Sequence, residues 1–510
     1  MGYSGLFANG EKQSMEEPGN SEKSEKSIIK ILQGILPVII IIGTLMLLVP
    51  IVDALYGAKP SLAFFVFGAL YALASFLFYE HLESKYGVPE FSYFEALISY
   101  SLVWIVIPVL TAIPLSIELR ISYIDALFES ISGFTGTGLT VLRGLDYMSK
   151  GVLFWRGLMQ WVGELGVIVF ASVFLPFFWR FGHILYSLER PTRISLSLRE
   201  SAVKIFYMYF LITVAGIVVC IYSGVEPLDA IVHVMTAIAT GGMSTYDANY
   251  EKVFQYAPQS IYPITTLMII GGFNFVVLAY ILDGELKKAW DSEEFRGFLY
   301  LNLVFSLLSF AIILPATSFN PGISLLYGSF NAISALTTTG FNIGNIASMP
   351  TSMKLLLILA MLLGGMSFST AGGIKTIRFL VFLKKIKTYI LGLISGGGIT
   401  QDITMGEKVL DEKEVSNMIL YILLHFFIVL IGAGIIKSAV SNHDFIDAFF
   451  EASSAAGAVG LSVGIASPEA PFIVKLVLMV LMYLGRLEYI PLFVVLGLLI
   501  YRRIIQVIPG

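Results

Sequence analysis

Charged residues are scarce in this chain of 510 residues. Asp, Glu, Lys and Arg together make up 13% of it, whereas soluble proteins carry about 25%. The apolar set AVILMFWYC makes up 56%, so polar groups could not cover the surface of a soluble domain. The composition excludes soluble, disordered and fibrous proteins and indicates a multi-span membrane protein. The net charge of −4 is too small to indicate a nucleic acid partner.

Cysteine is nearly missing, and histidine is rare. The single cysteine, Cys220, excludes an intramolecular disulfide and a cysteine-based metal cluster. The five histidines form no metal-ligand pattern, and no arrangement of a nucleophile, a base and an acid is visible. The sequence therefore predicts neither an enzyme nor a cofactor bound by this chain.

Long apolar runs follow a polar tail at residues 1–27. A helix needs about 20 apolar residues to cross a bilayer, and ten runs meet this requirement. The predicted crossings are 28–52, 60–80, 93–115, 152–178, 202–223, 260–283, 298–316, 354–391, 415–438 and 471–503. Four shorter stretches are too short to cross, and each ends in a cluster of Gly, Ser or Thr. They are 122–136, 226–240, 325–338 and 444–458.

The distribution of Lys and Arg predicts the orientation. Ten crossings put both termini on one side, together with the basic loops 180–204, 284–296 and 375–388 and with Arg502 and Arg503. Because cytoplasmic loops carry the excess of Lys and Arg, this side is predicted to be the cytoplasm. The chain is thus expected in the cell membrane, with the four short stretches opening to the outside.

The short stretches belong to an internal repeat. Residues 125–141 (DALFESISGFTGTGLTV) and 447–463 (DAFFEASSAAGAVGLSV) match at roughly half of their positions, and 229–245 and 327–343 match more weakly. All four contain Gly-x-[Ser/Thr/Asn] after a short apolar helix, at Gly138, Gly242, Gly340 and Gly460. We therefore predict an all-α membrane protein with four helix–pore-helix–loop–helix repeats in pseudo-fourfold symmetry around a pore. The predicted parts are the tail 1–27, two extra transmembrane helices in 28–92, pore segment 1 (93–199), pore segment 2 (200–293), pore segment 3 (294–410) and pore segment 4 (411–510).

Four loops at membrane depth indicate a pore, because loops are tolerated there only when buried in protein or lining water. Glycine lets the backbone turn its carbonyls inward, and rings of carbonyls replace the hydration shell of a monovalent cation. The partly negative C-terminal ends of the short helices also favour a cation. Asp125, Asp229 and Asp447 are predicted as the N-caps of these helices. A single such glycine would more often serve helix packing, but four in register argue against that interpretation.

The crossing 354–391 is interrupted by small and polar residues between Gly364 and Gly373. Such a break is tolerated only beside a cavity, so this loop is predicted to lie below the glycine loops as a gate, with a simple packing kink as the alternative. The predicted gate residues are Gly364, Gly365, Ser369, Gly372, Gly373 and Arg486.

Arg486 lies about halfway along the last crossing, where an isolated charge is unfavourable. It should therefore face the pore, as an electrostatic barrier, or an acidic partner. The candidate partners are Glu488, Glu451 and Glu129, and a structural salt bridge remains the alternative role.

Several other polar side chains lie within apolar runs. Glu164 is assigned a structural role, and Arg156 is expected to extend to the outer membrane surface. One polar position recurs in the four short helices and is predicted to support the loops from behind. Its residues are Glu129, His233, Asn331 and Glu451.

With these motifs in view, the chain resembles the membrane subunit of Trk/Ktr/HKT-type potassium transporters, and most closely the TrkH branch. The resemblance is carried by the following motifs: DALFESISGFTGTGLTVL, LFWRGLMQWVGELGVIVF, DAIVHVMTAIATGGMSTYDA, LTTTGFN, GGMSFSTAGGIKTIR and GRLEYIPLFVVL. It implies K⁺ as the transported ion, an intramembrane gate at 364–373 and an arginine under the filter, matched by Arg486. It also implies a homodimer in the lipid bilayer and control by a separate cytosolic ring of TrkA-like, nucleotide-binding RCK subunits. The implied K⁺ filter consists of the backbone at Thr137, Gly138, Gly241, Gly242, Thr339, Gly340, Val459 and Gly460.

The chain departs from the family pattern at three places. Gly136 stands where the family usually has threonine, Glu164 stands where it commonly has a small residue, and the fourth loop (456–460) has few hydroxyl groups. Selective K⁺ transport is the expected function. A less selective K⁺/Na⁺ channel, a Na⁺-coupled secondary solute transporter and a non-conducting scaffold stay open as alternatives.

Overall fold

The protein is described by a computed structural model. The described residues are 20–175, 183–189, 194–195, 197–395, 402–406, 408–489 and 493. Several of the predicted features lie outside these residues: most of the polar tail, the basic residues Arg180, Arg190, Arg193, Arg502 and Arg503, and the end of the last predicted crossing.

The described chain is helical apart from its loops and one small hairpin. The first helices are α1 (Asn20–Met46), α2 (Leu48–Leu55) and α3 (Leu62–Tyr86). Pore segment 1 contains α4 (Tyr93–Leu119), α5 (Tyr123–Phe134), α6 (Lys150–Leu165), α7 (Val167–Phe174) and α8 (His183–Glu189). Pore segment 2 contains α9 (Leu198–Tyr222), α10 (Pro227–Ile238), α11 (Tyr250–Tyr256), α12 (Ile261–Gly271), α13 (Phe275–Leu282) and α14 (Leu286–Asp291).

Two further segments make up the second half of the chain. Pore segment 3 contains α15 (Glu293–Ile313), α16 (Pro321–Leu336), α17 (Thr351–Leu363) and α18 (Thr376–Ile394). The antiparallel strands β1 (Thr404–Met405) and β2 (Lys408–Val409) then precede pore segment 4. Pore segment 4 contains α19 (Glu412–Ala439), α20 (Phe445–Ala456) and α21 (Phe472–Arg486).

Within the described residues, six helices are long and apolar enough to cross a membrane. They are Glu25–Leu55, which joins most of α1 to α2, and α3, α4, α9, α15 and α19. Apolar side chains on these helices, such as Leu211, Leu303 and Phe427, are exposed, as expected for surfaces in contact with lipid. The protein is thus an all-helical, multi-span membrane protein.

The other four predicted crossings are not continuous helices, which corrects the expectation of a single interruption. The run 152–178 breaks at Gly166, whose φ is +106°. The run 260–283 is a helix pair bent by 120°. The run 354–391 breaks after Leu363, and the last run ends its helix at Arg486, before two residues with positive φ. Hydropathy averages over a whole window, so it does not register a local break in the backbone.

The short helices lie between the longer ones and join neighbouring segments. The helix after each loop packs against the short helix of the next segment: α6 on α10, α12 on α16 and α17 on α20. The fourth of these helices, α21, packs back onto α5 of pore segment 1. The four segments therefore close into a ring.

The N-caps of the short helices differ from those predicted. Asp125, Asp229 and Asp447 lie in the first turn of their helices rather than at the cap. Ser122 caps α5 by accepting a hydrogen bond from the backbone N–H of Asp125. Acidic residues in a first turn still interact favourably with the helix dipole.

Candidate ion pathway

The four glycine loops follow the short helices and meet one another at the centre of the ring. We name them loop 1 (135–138), loop 2 (239–242), loop 3 (337–340) and loop 4 (457–460). Their last residues have φ values of +83°, +67°, +85° and +95° in chain order. These residues are Gly138, Gly242, Gly340 and Gly460. Because L-residues rarely adopt such φ values, the conformation itself favours glycine here.

Each glycine also lies against the backbone of the next loop. A Cβ atom on Gly138 would collide with the carbonyl oxygen of Gly241, and one on Gly242 with that of Thr339. One on Gly340 would collide with the Val459 oxygen, and one on Gly460 would lie 2.5 Å from the Thr137 oxygen. The contacts run from loop 1 through loop 4 and return to loop 1. A side chain larger than hydrogen is therefore excluded at each of the four positions.

A second residue in each loop shares the left-handed conformation, two positions before the glycine. Its φ is +68° at Gly136, +50° at Thr240, +56° at Thr338 and +52° at Ala458. Non-glycine residues adopt this region at an energetic cost and keep it only where the surroundings hold them there. The four loops therefore share one backbone conformation despite different sequences.

Hydrogen bonds to the short helices fix this conformation. The backbone N–H of Thr137 donates to the Ser132 carbonyl at 2.9 Å, and the other three loops repeat this bond at 2.8, 2.8 and 2.9 Å. In loops 1 and 3 two threonine hydroxyls also bond to each other: Thr135 to Thr137 at 2.9 Å and Thr337 to Thr339 at 2.8 Å. Loop 2 has Ala239 and Gly241 at these positions, and loop 4 has Gly457 and Val459.

Gln160 is a site residue that the sequence analysis missed. It is fully buried in α6. Its Nε2 donates to the Gly241 carbonyl at 2.6 Å, and its Oε1 accepts from the Met243 N–H at 2.9 Å. The side-chain amide of Gln160, in pore segment 1, thus bonds to the backbone on both sides of Gly242 in loop 2. The only signal in the sequence was a polar residue inside an apolar run.

The polar position repeated in the short helices lies behind the loops, and each side chain bonds to the irregular segment that follows its own loop. Glu129 accepts from the Thr140 hydroxyl at 2.8 Å, and His233 Nε2 lies 2.8 Å from the Ser244 hydroxyl. Asn331 Nδ2 donates to the Ile343 carbonyl at 2.9 Å. In pore segment 4, Glu451 accepts from the Ser462 hydroxyl at 2.7 Å and from the Val463 N–H at 3.0 Å.

Arg156 does not extend to the outer membrane surface, which corrects the expectation from sequence. Its side chain is 1% exposed and pairs with Glu129 at 2.6 Å. It also donates to the Ser244 carbonyl at 2.6 Å. The arginine therefore joins α5 to the segment after loop 2, which was not apparent from its position near a helix end.

The Gly364–Gly373 loop lies directly against the beginnings of the glycine loops. The Gly372 N–H donates to the Thr338 hydroxyl at 2.7 Å, and a Cβ atom on Gly372 would collide with the Gly457 carbonyl. The Thr370 hydroxyl donates to the Ile238 carbonyl at 3.0 Å. The loop thus touches pore segments 2, 3 and 4.

The other predicted gate residues shape this loop internally. Gly364 and Gly373 have positive φ and contact each other. The Ser369 hydroxyl donates to the Met366 carbonyl at 2.6 Å, and a Cβ on Gly365 would collide with Ala371. Outside the loop, Glu294 accepts from the Ser367 N–H at 2.6 Å and from its hydroxyl at 2.8 Å.

Arg486 pairs with Glu164, so the candidate partners named from the sequence are wrong. Its Nη2 also donates to the Gly163 carbonyl at 2.6 Å, and its guanidinium carbon lies 4.6 Å from the centre of the Trp104 ring. Glu488 pairs instead with Arg378. The partner was not apparent from the sequence because Glu164 is 322 residues away along the chain.

A cavity of about 570 Å³ lies on the other side of the loops. The glycines Gly138 and Gly460 line the cavity where it meets the loops, and Asp247 and Glu251 also line it. Arg143 also lines it and pairs with the exposed Glu469 at 2.6 Å. A polar chamber thus leads to the ring of glycine loops.

Comparison with known proteins shows which family the chain resembles and which solved structure shares its fold. The sequence profile of the family described as TrkH, cation transport protein, matches residues 64–320 and 316–499. The chain is 28% identical to an uncharacterized cation transporter of Methanocaldococcus jannaschii, over 95% of this chain and 98% of the relative. It is 31% identical to the Trk system potassium uptake protein TrkH of Salmonella typhimurium, over 74% and 78%. The crystal structure of the potassium transporter TrkH from Vibrio parahaemolyticus matches with a TM-score of 0.80 at 26% identity, covering 93% of this chain and 98% of that one.

Proposed function

The chain belongs to the TrkH family of cation transport proteins, and from this premise we propose that it carries K⁺ across the cell membrane through a channel-like pore. The observation that supports this most directly is the closed ring of glycine loops, each with the same two left-handed residues. Relatives that are described as potassium uptake or potassium transport proteins support K⁺ as the transported ion.

The pore is formed by four repeats in pseudo-fourfold symmetry. An ion enters from the outer chamber, loses its water, and is coordinated by backbone oxygens at the ring, as in other carbonyl filters. The filter residues are Thr137, Gly138, Gly241, Gly242, Thr339, Gly340, Val459 and Gly460. The four short helices end at the ring, and their partly negative C-termini stabilise a cation there.

The inner side of the filter is controlled by the Gly364–Gly373 loop and by Arg486. The contacts of this loop with Thr338 and Gly457 support this assignment, since a loop beside the filter can occlude the pathway. Flow follows the electrochemical gradient when the loop withdraws. The chain acts as a homodimer with both termini in the cytoplasm, controlled by a separate ring of TrkA-like RCK subunits, and the chain itself binds no cofactor.

A less selective K⁺/Na⁺ channel is the second candidate. It is favoured by loops 2 and 4, which lack the bonded pair of threonine hydroxyls found in loops 1 and 3. Without a hydroxyl pair within these two loops, the ring could adapt to an ion smaller than K⁺.

The test is cation flux into liposomes that contain the purified protein alone. K⁺ and Rb⁺ flux well above Na⁺ and Li⁺ flux is the expected result. Equal flux of all four ions would keep the channel and refute K⁺ selectivity, and Na⁺-driven uptake of an organic solute would favour a secondary transporter.

A glycine variant separates a pore from a scaffold. Gly138→Ser places a side chain against the Gly241 carbonyl, so the K⁺/Na⁺ flux ratio should fall at least about tenfold, equivalent to about 1.4 kcal/mol. Gly284→Ser is the matched control, because Gly284 has a similar φ of +79° and nothing within 4 Å of its Cβ position. A wild-type flux ratio in Gly138→Ser would contradict the filter assignment.

A further inference from the structure

Glu164 and Arg486 occupy the same position in two repeats. The same 322 residues that separate them also separate Gly138 from Gly460. The residue before each makes the same contact: a Cβ on Gly163 would collide with the Phe134 carbonyl at the end of α5, and one on Gly485 with the equivalent carbonyl in α20. Pore segments 1 and 4 therefore place opposite charges at equivalent points below their loops.

These charges meet across the interface between the two segments. The Glu164 side chain is 2% exposed and that of Arg486 is 14% exposed. The guanidinium contacts the Glu164 carboxylate, the Gly163 carbonyl and the Trp104 ring, all of which belong to pore segment 1. An arginine carried by segment 4 is thus held against the wall formed by segment 1.

Glu164 also fills the space of a missing loop side chain. Gly136 has the conformation that Thr240, Thr338 and Ala458 have in the other loops. A Cβ atom on Gly136 would lie 2.5 Å from both Cγ and Cδ of Glu164. The carboxylate therefore lies directly behind loop 1, in the place where the other loops carry their own side chains.

We propose that Glu164 determines the rate of cation passage: its carboxylate neutralises Arg486 and holds the guanidinium on the pore wall, directly below loop 1. This inference rests on the proposed transport function. With the carboxylate present, a cation leaving the ring meets a neutral pair. Without it, the positive charge of Arg486 is less compensated, in a region where the low dielectric strengthens its repulsion of the cation.

The decisive variants change charge and preserve shape. In Glu164→Gln we expect K⁺ flux into liposomes to fall about tenfold, since Arg486 loses its counter-charge. In Arg486→Gln the remaining carboxylate attracts cations, so flux should equal or exceed that of the wild type. The double variant Glu164→Gln/Arg486→Gln should recover most of the wild-type flux. Glu90→Gln, which changes an exposed carboxylate, controls for the loss of one negative charge.

The direction of the flux change in each variant distinguishes this role from a merely structural one. If the pair only held the fold together, both single variants would lose flux and thermal stability alike, because each leaves a buried charge without its partner; the flux of Arg486→Gln therefore separates the two roles. That result, or wild-type flux in Glu164→Gln, would overturn the proposal. A wild-type protein that carries no K⁺ would instead count against the proposed function itself.

The space that Glu164 fills allows an independent test. Gly136→Thr alone should abolish K⁺ flux, because its side chain collides with Glu164. Gly136→Thr combined with Glu164→Gly removes the collision, so the folded protein and its K⁺ selectivity should return, at the reduced rate set by Arg486 without its partner carboxylate. An unfolding temperature of the double variant no higher than that of Gly136→Thr alone would contradict the exchange of space between these residues.

Discussion

Gln160→Leu tests whether loop 2 is held by its neighbour rather than by its own sequence. The substitution keeps a similar volume but removes a donor to the Gly241 carbonyl at 2.6 Å and an acceptor for the Met243 N–H at 2.9 Å. Gln160 is fully buried, so water does not readily replace either partner. A buried polar group left without a partner costs about 1–3 kcal/mol, so the two together should destabilise the ordered loop 2 by about 2–6 kcal/mol.

Such a loss should be visible in two measurements. The K⁺/Na⁺ flux ratio in liposomes should fall at least about tenfold, because about 1.4 kcal/mol is enough for that change. The unfolding temperature in detergent should fall as well. Gln255→Leu, an exposed position in α11, is the matched control and should leave both values unchanged. A wild-type flux ratio together with a wild-type unfolding temperature in Gln160→Leu would refute the role assigned to this side chain.

Two further predictions concern buried charges. Arg156→Ala leaves Glu129 without its ion-pair partner in a fully buried position, so the free energy of unfolding should fall by about 3–5 kcal/mol; thermal melting checks this, and an unchanged melting temperature would contradict the pairing. Glu294→Ala removes both hydrogen bonds to Ser367 and should release the Gly364–Gly373 loop, raising K⁺ flux by about tenfold or more, since each bond to a charged group contributes about 1.5–3 kcal/mol and about 1.4 kcal/mol corresponds to a factor of ten. Reduced flux in a stably folded Glu294→Ala protein would show that the loop does not obstruct the pathway.

The sequence was sufficient for features that depend on local composition and pattern. Scarce charge and long apolar runs identified a multi-span membrane protein, and the TrkH resemblance is confirmed by the family match and by the crystal structure from Vibrio parahaemolyticus. Membership in a cation transport family also confirms that the chain is not an enzyme. The filter and gate assignments, the dimer, the RCK partner and the orientation of the termini stay predictions.

The glycine loops were also apparent from the sequence, because each requires glycine for a local reason. Glycine adopts a positive φ readily and other residues rarely. Because each loop needs a positive φ at this position, Gly138 and its three counterparts recur in register. The short helices before them were visible for a similar reason, since their apolar runs end at these loops. At these positions, the local backbone conformation determines which residue type is required.

Contacts between distant segments were decided only by the tertiary structure. Glu164 is 322 residues from Arg486, and Gln160 is 81 residues from Gly241. The apolar periodicity of a sequence does not indicate which two buried charges will pair. A hydropathy window likewise does not detect the break at Gly166. In a membrane interior, a buried charge or amide must find its partner wherever the packing of the four segments brings one. The partners of Arg156, Gln160 and Arg486 therefore followed from the closure of the ring and not from the residues beside them.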